Sequence, residues 1–129
     1  MNKTILYAPL SYWEATPEEK AKVCNGCGAK GGIKVPNTFY GLCIKEACNI
    51  HDWMYDKGQT LADKLFADAM FRMNMTSIID TQSNSLMAIL RHSRAAKYYI
   101  AVVEWGDNAY WINRVYNEEK HITFTGEFR

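Results

Sequence analysis

The sequence predicts a mainly α-helical single domain, in which two long antiparallel central helices follow a glycine-rich N-terminal third. Three observations support this prediction. The chain has 129 residues, enough for one domain with a buried core. Apolar residues recur at three- and four-residue spacing between residues 61 and 73, as on one face of a helix. Four of the eight glycines fall between residues 24 and 37, where no periodic pattern is present.

Helix signals divide the rest of the chain. Thr16, Pro17 and Glu19 form a capping box with proline at the first helical position, so a short helix is expected to run to Val23. Further helices are predicted from about Thr38 to Asp56 with a stop near Gly58, from Thr60 to a polar turn at Thr81–Asn84, from Ser85 to Trp105, and past Gly106 to about Tyr116. The tail from His121 to Phe128 alternates weakly between apolar and polar residues, as in a strand or a frayed end.

Composition excludes several classes of protein. Apolar residues make up 48% and charged residues 22%, as in ordinary globular chains. The net charge of +1 gives no electrostatic argument for nucleic-acid binding. No apolar run approaches the roughly 20 residues of a transmembrane span. The N-terminus does not resemble a secretory signal, because Pro9, Ser11 and Glu14 interrupt it. Nothing in the sequence indicates an oligomeric state.

The four cysteines lie close together, between residues 24 and 48. They are compatible with two disulfides, one metal site or four reduced thiols. The missing signal favours a reducing compartment, whereas the clustering favours a covalent or metal staple. A virion-associated or otherwise non-standard route of export would reconcile the two observations, and without such a route the expected location is the cytoplasm.

The strongest functional pattern is a helix that carries Cys48, His51, Asp52 and Tyr55. A histidine can take a proton from water near neutral pH. An aspartate with backbone carbonyl oxygens can hold a hard cation such as calcium. A His-Asp pair by itself is typical of a solvated helix surface. The pattern is more specific here because Tyr55 lies one turn after His51 on the same face and Cys48 lies one turn before it.

Asp63 is the predicted partner of His51. Counted from Gly58 at 1.5 Å per residue, His51 and Asp63 lie roughly 10 Å and 7.5 Å from the turn, whereas Asp68 lies about 15 Å away. Asp63 is therefore expected to orient the imidazole and to bond Tyr55, and Asp68 is expected to matter little. The alternative for Asp63 is a capping box with Thr60, because aspartate can replace the usual glutamate there.

These residues resemble the secreted phospholipase A2 superfamily, in its short bacterial or viral-type form. The first helix motif is Cys48, His51, Asp52 and Tyr55, and the second is Ala62-Asp63 followed by Phe66. Cys27-Gly28 and Gly31-Gly32 resemble the calcium loop. The resemblance covers roughly residues 24–72, and the segment from Ser83 onward is not aligned.

The resemblance implies calcium-dependent hydrolysis of the sn-2 ester of a glycerophospholipid at a membrane surface. His51 would be the base, Asp63 and Tyr55 would orient it, and Asp52 would bind Ca²⁺. Loop carbonyls would complete the calcium site, and an extra residue in the loop leaves two sets open: Gly26, Gly28 and Lys30, or Cys27, Ala29 and Gly31. The resemblance also implies a disulfide between Cys27 and Cys48, with Cys24 and Cys43 as the other candidate pair.

Two alternatives compete with this interpretation. The spacing of Cys24 and Cys27 is that of a zinc knuckle, so the four cysteines are also compatible with a structural zinc site. The same fold could also serve as a non-catalytic lipid-binding module.

Overall fold

The computed structural model describes residues 3–28 and 35–111, apart from the side chain of Asn108. Within these residues the chain is mainly helical, as predicted. The elements in chain order are α1 (Leu10–Glu14), α2 (Pro17–Val23), β1 (Thr38–Phe39), β2 (Leu42–Cys43), α3 (Lys45–Lys57), α4 (Leu61–Gln82), α5 (Ser85–Trp105) and α6 (Asp107–Trp111). The predicted helical residues after Trp111 and the tail from His121 to Phe128 lie outside the described residues.

The capping signals in the sequence predicted two helix starts correctly. Thr16 accepts a hydrogen bond from Glu19 N, and the Glu19 side chain accepts one from Thr16 N, so α2 begins with the expected capping box. Thr60 and Asp63 form the same reciprocal pair at the start of α4. The boundary near Ser85 is also confirmed, because the Asn84 side chain caps α5 by accepting from Met87 N.

A short hairpin replaces the predicted first turns of the central helix. Residues 38–43 form antiparallel strands, with Phe39 paired to Leu42, and α3 begins only at Lys45. The two residues between the strands, Tyr40 and Gly41, both have positive φ, of 48° and 83°. Two consecutive positive φ values are the geometry of a tight hairpin turn, and they are incompatible with a helix. The prediction of a helix from Thr38 was therefore wrong.

Helices α3 and α4 pack antiparallel across a three-residue connection. Gly58 approaches Asp63, while one turn before it Tyr55 bonds Asp68. One further turn back, the His51 ring lies against Phe71, with 4.7 Å between ring centroids. The pairs thus run in opposite directions along the two helices, and they place the predicted site between them.

Two groups of buried apolar residues hold α3 in place. One joins α3 to the hairpin, α4 and α5, and it includes Phe39, Ile44, Phe71, Met75 and Ile79. The other joins α3 to α1 and contains Ala8, Tyr12, Ile50, Trp53, Met54 and Ala67. Since both sides of α3 are buried, its rotation about its own axis is fixed by packing.

The end of α5 returns to the connection between α3 and α4. Gly106 N donates to Val102 O at 3.0 Å and ends the helix. From α6, the Tyr110 hydroxyl donates to Thr60 O at 2.6 Å. This junction of α5 and α6 therefore lies beside the site, in a part of the chain that the resemblance did not cover. None of the helices in the described part of the chain is long and apolar enough to cross a bilayer.

Candidate active site

Helix α3 presents His51 and Asp52 in two different directions. His51 is only 7% exposed and faces α4. Asp52 is half-buried and turns about 100° away from His51, so its carboxylate reaches the loop that follows α2. Asn49, three residues earlier and hence on the same face as Asp52, reaches that loop as well. One helix therefore contacts α4 through His51 and the loop after α2 through Asn49 and Asp52.

His51 belongs to a buried hydrogen-bonded group centred on Asp68. His51 Nε2 lies 2.8 Å from Asp68 Oδ1, and the Tyr55 hydroxyl donates to the same oxygen at 2.7 Å. Asp68 is 1% exposed. A carboxylate only accepts hydrogen bonds, so the proton of the neutral imidazole is on Nε2 and Nδ1 carries the free lone pair.

The other carboxylate oxygen is held by a buried lysine. Lys64 Nζ donates to Asp68 Oδ2 at 2.8 Å, and the side chain of Lys64 is 2% exposed. Lys64 and Asp68 are four residues apart on α4, so they lie on the same face of the helix. A buried charge requires a partner of opposite charge, and each of these residues provides one for the other.

The electrostatics of this group keep His51 in its basic form. Burial lowers the pKa of His51 below its ordinary value, although the Asp68 carboxylate opposes the effect. Burial alone would raise the pKa of Asp68, but the hydrogen bonds from His51, Lys64 and Tyr55 outweigh it and hold that pKa below its usual range. Burial and the Asp68 charge raise the pKa of Tyr55, which therefore stays protonated. At neutral pH the site holds a neutral imidazole, an ionised carboxylate and a phenolic donor.

Asp63 does not take the role predicted for it. Its carboxylate accepts hydrogen bonds from Gln59 N at 2.9 Å and Thr60 N at 3.1 Å, which is the capping alternative. The prediction is wrong because it assumes a helical rise on both sides of Gly58, whereas the connection from Gly58 to Thr60 is extended. Counted from the helix ends, His51 is six residues before Lys57 and Asp68 seven after Leu61, or about 9 Å and 10.5 Å.

The loop after α2 is tied to three polar side chains by consecutive amides. Asn25 N donates to Asp52 Oδ2 at 2.9 Å, Gly26 N to Asn49 Oδ1 at 3.0 Å, and Cys27 N to Asn37 Oδ1 at 2.8 Å. Gly26 has a φ of +77°, and a β-carbon there would lie 2.9 Å from Asn37 Oδ1. Glycine at this position therefore allows both the backbone conformation and the close approach.

A disulfide fixes the same loop to α3. Cys27 and Cys48 are bonded, with 5.0 Å between their Cα atoms, which confirms the pairing that the resemblance implied. Cys24 and Cys43 do not pair and remain free thiols, contrary to the expectation for the second pair. Two of the four sulfurs are thus unable to act as thiolate ligands, and the four-cysteine zinc site is wrong for this structure.

The predicted calcium ligands fall partly within the described residues. Asp52, Gly26 and Gly28 lie there, with Gly28 at a φ of +97°, whereas Ala29, Lys30 and Gly31 lie outside them. In the described ranges no group of three or more His, Cys, Asp or Glu side chains could hold a metal. The donors that fit are one carboxylate and backbone carbonyls, a set that suits calcium. An ionised carboxylate has about four acceptor positions, so Asp52 can accept from Asn25 and still bind a cation.

The structure adds three residues to the candidate site: Asp68, which was expected to matter little, and Lys64 and Asn49, for which the sequence predicted no role. Asp68 had a recognisable signal, because Ala67-Asp68 followed by Phe71 repeats the spacing of Ala62-Asp63 followed by Phe66. Lys64 could have been found from its four-residue spacing to Asp68. Asn49 had no signal, since an asparagine on a helix becomes informative only when the position of the loop is known.

Comparison of the chain with protein-family models, with curated proteins and with solved structures finds no match.

Proposed function

We propose that this protein is a calcium-dependent hydrolase that cleaves the sn-2 acyl ester of glycerophospholipids. The observation that carries the proposal is the 2.8 Å contact between His51 Nε2 and Asp68 Oδ1. It orients a neutral base, and the next residue of the same helix, Asp52, places a carboxylate beside a disulfide-tethered loop.

The protein groups supply the base chemistry. His51 accepts a proton from an attacking water on Nδ1, because Nε2 is engaged by Asp68. The positive charge that develops on the imidazole is stabilised by the Asp68 carboxylate, which stays ionised. Tyr55 donates to the same oxygen and restricts its movement. The base is thus held in one tautomer and one orientation before substrate binds.

The metal requirement is inferred from Asp52 and the loop. Asp52 and loop carbonyls, with Gly26 and Gly28 as the described candidates, would hold the ion. When bound, calcium supplies the positive charge that polarises the ester carbonyl and stabilises the oxyanion. The disulfide between Cys27 and Cys48 supports this assignment, because it holds the loop close to the helix that carries Asp52.

The substrate class follows from the resemblance and from the corrected second motif. Asp68 and Phe71 have the spacing of the second family motif, and in the structure they contact His51 from one side, Asp68 by a hydrogen bond and Phe71 by ring contact. The geometry alone supports water activation beside a hard-cation site. The phospholipid ester is the part that the resemblance adds.

The test is hydrolysis of mixed phospholipid vesicles that carry distinguishable acyl chains at the two glycerol positions. We expect release of the sn-2 fatty acid in the presence of calcium and loss of release after addition of a chelator. His51→Asn should abolish turnover without changing the circular dichroism spectrum, since asparagine lacks a basic nitrogen. His92→Asn is the matched control, because His92 bonds Asp80 on the surface of α4 and α5, away from Asp68.

The outcomes distinguish the proposal from its alternative. Release of fatty acid by the His51→Asn variant at the wild-type rate would remove His51 from the mechanism. Binding of the wild-type protein to vesicles with no fatty acid released at any calcium concentration would identify a non-catalytic lipid-binding module instead.

A further inference from the structure

Lys64 is the one member of the buried group that the proposed reaction leaves without a role. It lies on α4, one turn before Asp68, and is 1% exposed. Its ammonium donates to Asp68 Oδ2 at 2.8 Å and to Val102 O at 3.2 Å, and it lies 3.5 Å from Asp107 Oδ1. Its contacts thus join the carboxylate behind His51 to the junction of α5 and α6.

Packing alone does not account for a lysine at this position. Transfer of an ammonium group out of water is unfavourable, and apolar side chains of similar volume often replace buried ion pairs without loss of stability. The cation is therefore better explained by what it does to its neighbour than by what it adds to the fold.

We propose that Lys64 is a positioning residue for the hydrolysis, which aims the Asp68 carboxylate at His51; this inference rests on the proposed function. Asp68 Oδ1 accepts from both His51 and Tyr55, while Oδ2 accepts from Lys64. With a cation held on Oδ2, the plane of the Asp68 carboxylate is fixed, so Oδ1 stays aimed at the Nε2–H of His51 and accepts its hydrogen bond.

The contacts of Lys64 also give the C-terminal part of the described chain a function. Val102 lies three residues before the end of α5, and its carbonyl oxygen accepts hydrogen bonds from both Lys64 Nζ and Gly106 N. Asp107 opens α6 and places a second carboxylate 3.5 Å from the same ammonium. Through Lys64, the end of α5 and the start of α6 set the position of Asp68.

The first experiment compares the wild type with Lys64→Met and with Lys57→Met in the vesicle assay. Methionine keeps the length and removes the charge and donors. We expect Lys64→Met to lower kcat by about tenfold to 100-fold, a range typical of lost supporting contacts. KM and the calcium dissociation constant should stay within about twofold. Lys57 is a matched control, because it is an exposed lysine that also pairs with an aspartate, Asp56, at 3.2 Å. A wild-type kcat for Lys64→Met would overturn the proposal.

A double-mutant cycle separates positioning from general destabilisation. If Lys64 acts through the Asp68 carboxylate, Lys64→Met should cause no further loss of kcat in the Asp68→Asn background. The double variant removes both charges of the pair, so it avoids an uncompensated buried carboxylate even if Lys64→Met alone fails to fold. A double variant whose kcat is tenfold or more below that of Asp68→Asn would show an independent, structural role and overturn the proposal.

A spectroscopic measurement keeps this inference apart from the proposed function. The Nε2 proton of His51 should exchange slowly with solvent in wild-type protein, as followed by NMR, because Asp68 accepts it in a buried site. It should exchange at least about tenfold faster in Lys64→Met than in Lys57→Met, two variants that each lose one positive charge. Absence of hydrolysis by the wild type would refute the proposed function alone. Equal exchange rates in the two variants would refute the role of Lys64 alone.

Discussion

Gly106 lies directly against the hydroxyl of Tyr55, and a β-carbon built on Gly106 would be 2.7 Å from that oxygen. The same hydroxyl donates to Asp68 Oδ1. The end of α5 therefore limits where Tyr55 can place its donor. A residue remote in sequence from His51 contributes in this way to the geometry of the group around His51, through one intervening side chain.

Substitution of Gly106 should affect both stability and rate. Gly106→Ala forces Tyr55 or the helix end to move, and we expect a loss of about 1–3 kcal/mol in the free energy of unfolding, as for other overpacked sites. We also expect kcat to fall, because Tyr55 shifts relative to Asp68. Urea unfolding and the vesicle assay measure the two effects.

Gly41→Ala is the control for the Gly106 substitution. Gly41 has a φ of +83°, but a β-carbon there meets no atom within 4 Å. This variant should lose stability through backbone strain and keep its kcat. An unchanged kcat in Gly106→Ala, with stability reduced, would show that Tyr55 does not depend on this contact.

Asp68 and Asp63 should differ sharply on substitution by asparagine. Asp68→Asn removes the charge that stabilises the protonated imidazole, and we expect kcat to fall by roughly 10²- to 10⁴-fold. Asp63→Asn keeps an oxygen that accepts from Gln59 N and Thr60 N, so only a small loss of stability is expected. Steady-state kinetics with thermal unfolding distinguish them. A larger loss of kcat in Asp63→Asn would contradict the arrangement seen here.

The contrast between these two aspartates also shows what the sequence could and could not predict. Local signals predicted local structure correctly: Thr60 and Asp63 form the capping box that their residue types and spacing predict. The choice of partner for His51 depended on the axial shift between α3 and α4, and three residues of extended connection changed that shift by about one helical turn. Sequence motifs could not correct the error, because the same small residue, aspartate and phenylalanine spacing occurs at both positions.

The hairpin before α3 illustrates a different limit. Thr38 and the apolar residues after it are compatible with a helix by periodicity. The decisive feature is the pair of positive φ values at Tyr40 and Gly41, and only the glycine is typical of such a conformation. Arg91 of α5 then donates to Phe39 O at 3.0 Å and Tyr40 O at 2.8 Å, so a distant part of the chain holds the turn. Single-sequence patterns do not report such long-range contacts.

Calcium binding should depend on Asp52 more than on any neighbouring carboxylate. Asp52→Asn removes the formal charge from the proposed cation site, and we expect the calcium dissociation constant to rise at least about tenfold by calorimetry. Asp56→Asn serves as the control, because Asp56 lies one turn later on α3 and pairs with Lys57 at the surface. In the Asp52→Asn variant, the side-chain amide oxygen still accepts the hydrogen bond from Asn25 N, so the loop should keep its position. An unchanged calcium titration in Asp52→Asn would exclude Asp52 as a ligand.

The two free thiols should react at different rates with an alkylating reagent. Burial, together with the nearby Asp52 and Glu46 carboxylates, raises the pKa of Cys24 to about 11, and its thiol donates to Asn49 O at 3.3 Å. At about pH 8, only about one Cys24 thiol in a thousand is therefore ionised, and the thiolate is the reactive form. Cys43 is exposed, so iodoacetamide should label Cys43 first, and labelling of Cys24 should rise as the pH approaches 11.

Peptide mapping by mass spectrometry measures both rates, and labelling in denaturant, where both thiols are accessible, provides the control. Equal rates for the two thiols in the native protein would show that Cys24 is not held against α3 beside Asp52, and would remove one support for the placement of the loop.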